Sequence, residues 1–467
     1  MHRRNSPGRP APMGHALVLA TVLLLAGLAG PLQAQDYGPE QLPASPVDVP
    51  GAAPVLLSPL PPPPAGQPES LAGLLVRVLA ADPQVRTAQA LWQAAQQRRL
   101  QARSRLGPSV LLSTTNGQSL ELEFGRPLER HTNRVEAGLR WNLYNSGNDL
   151  AEFQASSRDL LASAQDLRRA REDTGERIAE SYVELLRVQD LLPRAAERLT
   201  AVQQLVAQVQ RQNEAGKASD ADATQAAASL LDAEIALEQL YADQDSARDK
   251  LTALVGTEVR EVQPVVLMAV PAAALQGSQP GLVDAAELRA LAARDRVRPL
   301  ATLLAPRIDL EVRKQVSDRT TPALTTEQQR AWQITARWEF PVLGETAARR
   351  SEVQRRAEAA EADAERVARG VQGDLQALRA RITNAERAVA QLDQQVAQYH
   401  SLVRAGEVQF EAGRRTVAQL IQLRDSRFSA EQRRADQQNR LLAARMRQLA
   451  LTGQLLPALG LGGGPAE

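Results

Sequence analysis

The sequence predicts a mainly α-helical chain that also carries membrane β-strands, organised as two internal structural repeats. Three observations predict it: an exported leader, motifs that recur at one fixed spacing, and heptad-patterned helices beside short stretches in which apolar and charged residues alternate. Composition agrees, because Ala, Gln, Arg, Glu and Leu dominate while aromatics make up only 3%. That balance belongs to long helices.

At the start of the chain, Arg3, Arg4 and Arg9 precede an apolar run from Ala16 to Leu28, and Leu32-Gln33-Ala34 supplies a small-residue cleavage site. Residues 1–34 therefore read as a secretory signal peptide, the run being short of the roughly 20 residues that a spanning helix needs. Cysteine is absent, which excludes disulfides, thiolate nucleophiles, thiolate metal sites and a lipid-bearing cysteine. Beyond the leader no apolar stretch approaches spanning length, so an element that crosses a membrane has to be a β-barrel. Lys and Arg number 55 against 54 acidic residues, a formal charge of +1. Interspersed charges so nearly balanced give no reason to expect nucleic acid.

Residues 35–69 are dense in proline, with Pro43, Pro46, Pro50, Pro54 and then Pro61 to Pro64, and read as an extended arm. Residues 457–467 read as a disordered tail. Between these ends the chain repeats itself. Glu214-Ala215-Gly216-Lys217 matches Glu411-Ala412-Gly413-Arg414 at an offset of 197 (413 − 216 = 197), and the same offset relates Arg140-Trp141 to Arg337-Trp338, Gly147 to Gly344, and Ala233-Glu234 to Ala430-Glu431. Two repeats follow, 70–256 and 277–456, joined by a proline-containing linker over 257–276.

Each repeat predicts a helix, a pair of strands and then two very long helices. In the second, Ile308, Leu310 and Val312 alternate with Asp309, Glu311 and Arg313, and Ile334, Ala336, Trp338 and Phe340 alternate with Thr335, Arg337 and Glu339. The first repeat gives Leu120, Leu122 and Phe124 against Glu121 and Glu123, then Val135, Ala137, Leu139, Trp141 and Leu143 against Glu136, Arg140 and Asn142. Period two marks strands with one apolar face. Four strands cannot close a barrel, so apolar-out, charged-in strands fit a water-filled barrel shared among several chains. A soluble sheet packed on helices is the alternative.

The helical signal is a seam through Leu375, Leu378, Ile382, Ala385, Val389, Leu392, Val396, Tyr399, Val403, Gly406 and Phe410, stepping by four and three, which is a heptad pattern. Glu345 to Phe410 contains no proline and makes a rod of roughly 100 Å. Its counterpart, Asp149 to Gln212, contains Pro193, which predicts a kink or a restart. A plain coiled-coil scaffold without a barrel remains an alternative to the heptads taken alone.

Two repeats of this order, each with a glycine turn between its long helices, resemble the TolC-type outer-membrane factor family over nearly all of the chain beyond the leader. Gly216-Lys217-Ala218-Ser219, with Asp222 and Ala226, is similar to that family's first turn; Phe410, Gly413, Arg415, Thr416-Val417 and Leu420 are similar to its second. The resemblance implies a TolC-like homotrimer in which four strands from each chain form a twelve-stranded β-barrel in outer-membrane lipid, continued by an α-barrel across the periplasm. It implies a passive duct in a tripartite export machine, served by a periplasmic adaptor (membrane fusion) protein and an inner-membrane ABC transporter or other pump, with no cofactor. Adaptor contact would fall on the tips, Gly216, Lys217, Ser219, Gly413, Arg414 and Thr416. Closure would involve Arg415 linked to Asp222, with Phe410 in a slot often held by tyrosine. Gln419 and Gln422 stand where the best-known members carry acids that ring the aperture, which implies that a cation-binding ring is missing. The segment Gly413-Arg414-Arg415-Thr416, with Leu449-Ala450-Leu451-Thr452-Gly453, resembles type I protein-secretion members; small-molecule efflux is the alternative cargo class.

An enzyme is the competing class. The four histidines are His2, His15, His131 and His400, and no two have a metal-ligand spacing. No Ser/His/Asp grouping or phosphate-cradling glycine loop is evident.

Overall fold

The computed structural model describes residues 68–123, 126–268, 280–301, 306–321, 330–338 and 344–461. The leader, residues 35–67 of the arm, Phe124, residues 269–276 of the linker, Glu339-Phe340 and residues 462–467 lie outside the described residues. In chain order come α1 (Leu71–Ala81), α2 (Pro83–Ser104), β1 (Ser109–Glu123), β2 (Arg126–Asn145), α3 (Asn148–Glu214) and α4 (Asp220–Val255). They are followed by α5 (Gly281–Val297), a 3-10 turn (Arg298–Ala301), β3 (Arg307–Thr321), β4 (Arg330–Arg337), α6 (Glu345–Glu411), α7 (Val417–Leu451) and α8 (Leu455–Ala458).

The internal repeat is reproduced most closely in the long helices and the turns that bound them. Helices α3 and α6 are each 67 residues long. Both begin just after a left-handed glycine, Gly147 (φ 78°) or Gly344 (φ 77°), and both end just before another, Gly216 (φ 68°) or Gly413 (φ 69°). A residue without Cβ enters this region at no steric cost, so these are the points where the chain reverses. The partner helices α4 and α7 are shorter than the sequence led us to expect, 36 and 35 residues. Their helices stop at the next left-handed glycines, Gly256 and Gly453. Helix α3 runs through Pro193 without restarting, since a proline removes one ladder bond and a packed neighbour can hold the axis. Along α6 every seam position from Leu375 to Phe410 is buried or half-buried.

The first third of α3 lies beside α2 and α5. Arg158 Nε donates to the buried Asp295 at 2.5 Å, and Arg296 donates to Glu152 at 3.1 Å and to Asp159 at 2.7 Å. The remainder of α3 meets α4 and α7, so the two long hairpins share one seam. Polar pairs lace that seam: Arg198 to Asp425 at 2.8 Å, Arg427 to Glu197 at 3.2 Å, and Arg187 to Asp436 at 3.1 Å.

The largest core gathers α1, the middle of α3, the ends of α4 and α7, and α8. One expectation changes here. Residues 457–461, read as the beginning of a disordered tail, complete a short helical turn in which Leu455, Leu456 and Ala458 are buried. Residues 257–268 of the linker are held against this core: Val259 and Val262 are buried, and the Tyr182 hydroxyl lies 2.6 Å from the Gln263 carbonyl and 2.8 Å from that of Glu69. Small apolar side chains in both segments supply the burial that composition obscures.

The four strands form one antiparallel sheet in the order β1-β2-β3-β4. The register of β2 with β3 shifts twice: β3 carries an extra residue, Val316, opposite Val135/Glu136, and β2 carries one, Leu143, between Asn142 and Tyr144. Among the described residues no helix packs across either face. One face carries Val110, Leu112, Leu139, Trp141, Val312, Trp332 and Ile334, all exposed. The other carries Arg140, Glu311 and Arg313, joined by bonds of 3.1 Å and 2.8 Å. No helix of the described chain is long and apolar enough to cross a membrane.

Candidate functional site

Two places in the fold hold chemistry: the paired hairpin tips and the open sheet. At the first tip the left-handed Gly216 lets the Lys217 amide reach back to the Gln212 carbonyl at 2.7 Å; at the second, the Arg414 amide reaches Gln409 at 2.8 Å. This is the closure that satisfies orphan carbonyls at helix ends. Asn213 secures the first turn by donating to Asp220 at 2.9 Å.

The next helices start with matched capping boxes. Ser219 Oγ accepts from the Asp222 amide at 3.1 Å while Asp222 accepts from the Ser219 amide at 3.3 Å. Thr416 and Gln419 repeat the arrangement, both bonds at 3.3 Å. Asp222 and Gln419 are thus equivalent residues of the repeat, each satisfying an orphan amide at a helix start. Spacing could have revealed this, because Ser-x-x-Asp and Thr-x-x-Gln recur at the 197 offset.

Phe410 is buried in the tip core with Val202, Leu205, Val209, Ala226 and Leu420. The Arg415 guanidinium lies over Gly406, where a Cβ would come within 3.2 Å of Nη1 and 2.9 Å of Leu423 Cδ1. Within the single chain Arg415 and Asp222 make no bond to each other. Gln422 is exposed beside a groove shared with Tyr399, Ile421 and Asp425, of about 430 Å³. Lys217 and Arg414 are exposed at the turns. Arg424 went unnoticed in the sequence: it donates to the Ala201 carbonyl at 2.8 Å and to Glu407 at 2.7 Å, tying α3, α6 and α7 together behind the tips. A single arginine in an Arg-rich helix offers no signal of such a role.

At the sheet, Trp141 Nε1 donates to the Leu106 carbonyl at 2.9 Å, anchoring the apolar face to the end of α2. On the charged face Asn142 and Asn145 donate to Asp149, at 2.7 Å and 3.3 Å, and carry the polar surface into α3. Both outer strands, β1 and β4, have one unpaired edge within the chain. Exposed edges with exposed apolar side chains need partners or lipid. Among the described residues no cluster of potential metal ligands occurs.

Comparison with known proteins places this geometry. Residues 74–257, less than half of the chain, match the family model described as outer membrane efflux protein. No curated protein matches by sequence. Among solved structures, the outer membrane protein VceC of Vibrio cholerae is 17% identical with a TM-score of 0.70, covering 84% of this chain and 96% of VceC. The outer-membrane channel OprN is 18% identical with a TM-score of 0.69, covering 90% of this chain and 98% of OprN. The open state of the MtrE outer membrane channel of Neisseria gonorrhoeae is 17% identical with a TM-score of 0.68, covering 82% of this chain and 89% of MtrE. The chain has the fold of these outer-membrane channels, in agreement with the TolC-type resemblance read from its turns.

Proposed function

We propose that this chain, which carries the efflux-family pattern over residues 74–257 and the outer-membrane channel fold throughout, is one subunit of a homotrimeric outer-membrane duct. The open sheet carries this reading. A four-stranded sheet with two unpaired edges, an exposed apolar face and a charged opposite face leaves both hydrogen bonds and apolar surface unsatisfied in the single chain. Three copies joined edge to edge remove all edges, turn the apolar face to lipid and enclose the charges in water. The long hairpins then continue the duct through the periplasm, and their tips, with Gly216, Lys217, Ser219, Gly413, Arg414 and Thr416, meet an adaptor that couples the duct to an inner-membrane pump.

Closure at the tips follows from charge-assisted bonding between Arg415 and Asp222 of assembled chains, an exposed contact of modest worth that an adaptor can break. Gln419 and Gln422 leave the aperture without a carboxylate ring. Of the two cargo classes, the second turn favours polypeptides delivered by an ABC transporter, and the efflux-family match favours small molecules. Copurification with one class of inner-membrane pump decides between them.

Planar-bilayer recording of the purified protein tests the duct. Small, steady conductance is expected for the wild type, higher conductance for Arg415→Ser, and weak block by multivalent cations. An absence of conductance together with migration on gels that heating leaves unchanged would reject the channel.

A further inference from the structure

Directly below the sheet, on its charged side, the chain forms a trough that the reading above does not use. A cavity of about 700 Å³ is lined by Arg105 from the end of α2, Asp149 and Glu152 of α3, Arg296 of α5, and Arg349 and Arg356 of α6. A second, of about 550 Å³, adjoins it through Arg105, Glu152 and Arg296 and adds Arg98 and Arg289. Its side is fixed by the sheet: Asp149 accepts from Asn142, whose cross-strand partner is Asp309, and Asn145 also lines the first cavity. The trough therefore opens on the face that carries Arg140 and Glu311.

Its charges do not cancel. Arg296 is engaged by Glu152 and Asp159, Arg289 by Asp166, and Arg356 by Glu352. Asp149 is engaged by the two asparagine amides. Arg98, Arg105 and Arg349 have exposed side chains that form no hydrogen bond or ion pair with any described residue. Asp149 keeps its charge, since its asparagine partners are neutral, but three guanidiniums against this one carboxylate leave the continuous concave surface with an excess of positive charge, a receptor for carboxylate, phosphate or sulfate groups, whose planar or tetrahedral oxygens match the guanidinium fork. Low-dielectric walls focus such a field toward an incoming anion.

We propose that this trough is an anion-binding station, repeated in each subunit, that takes multivalent anionic groups; its position in the water-filled interior rests on the channel reading, while the site itself does not. Inositol hexakisphosphate is the probe. Titration calorimetry on the full chain in detergent should detect binding that weakens with salt. The double variant Arg105→Gln/Arg349→Gln should weaken it at least tenfold, whereas the charge-matched Arg350→Gln/Arg355→Gln, outside the trough, should change it less than threefold. In planar bilayers the probe, added from the strand side, should block the wild type and block the trough variant much less. Equal binding by both double variants would overturn the site whether or not the protein conducts. Binding that depends on Arg105 and Arg349 in a protein that never conducts would keep the site and reject the channel.

Discussion

Glu172 is a carboxylic acid buried in the helical body. It lies at the central core, where its carboxylate accepts a long bond of 3.4 Å from the Leu456 amide. Burial pushes its pKa up to about 8, with the backbone bonds to Leu456 and Leu455 and the charge of Arg168 opposing. An acid whose folded pKa exceeds its unfolded value keeps its proton in the fold after the unfolded chain has lost it, so its contribution is favourable at low pH and is lost as pH rises toward 8. Glu172→Gln should therefore stabilise the chain little at pH 4.5 and by a few kcal/mol, on the order expected from about 1.4 kcal/mol per pH unit, at pH 8. Denaturation midpoints of the two proteins at both pH values check this; a gain independent of pH would contradict it. The same scale governs the tip. Since Asp222 closes the capping box of α4 by accepting from the Ser219 amide, replacing it by alanine loses both that bond and the charge, about 1 kcal/mol arising from the bond alone. Asp222→Asn keeps an acceptor for Ser219, so a leaky channel with unchanged melting isolates the charge, and unchanged conductance argues against an Arg415 link. The TolC-type resemblance points to Arg415 and Asp222, whereas the capping duty of Asp222 and Gln419 is already carried by the Ser-x-x-Asp and Thr-x-x-Gln spacing and is bonded at both ends in the fold.

At the scale of elements, what could be read from the chain was whatever is periodic. The α6 seam carries its burial in its own pattern, and the alternation in β2 and β3 carries the division into an apolar and a charged face, because heptads and period two reflect local geometry. The seam between the hairpins is different: Arg198, Glu197 and Arg187 meet Asp425, Arg427 and Asp436 across more than 200 residues of chain, and no local pattern encodes that pairing. The same holds for residues 257–268, whose burial depends on Tyr182 and α1. Within the sheet, Gly138 lies at a close approach of β2 and β3, where an added Cβ would stand 2.8 Å from the Val312 carbonyl oxygen. Backbone cannot yield as a side-chain tip can, so Gly138→Val should separate the two central strands, cost roughly 1–3 kcal/mol, and lower the yield of heat-modifiable protein in the membrane fraction. The helical body should melt as before by circular dichroism, since no helix rests on the sheet.

For the whole molecule, the decisive asymmetry is that the helical body satisfies itself while the sheet does not. Helices α3, α4, α6 and α7 bury shared apolar seams, and α4 and α7 complete capping boxes within the chain. The sheet exposes Trp332 at 73% and Val110 at 73% of their surface, an arrangement that no soluble monomer maintains over a patch of this length. The two faces must then respond oppositely to charge. Val312→Arg places a guanidinium on the apolar face, at a cost of up to roughly 2–4 kcal/mol if that face meets the hydrocarbon core. Arg313→Gln, one residue along the strand and on the opposite face, removes a charge where water is expected and should be nearly neutral for assembly. Measuring the heat-modifiable fraction of outer-membrane protein for both variants distinguishes the faces directly: a large loss for Val312→Arg with little for Arg313→Gln is the outcome of a lipid-facing apolar surface, and equal losses would mean that both faces lie against protein.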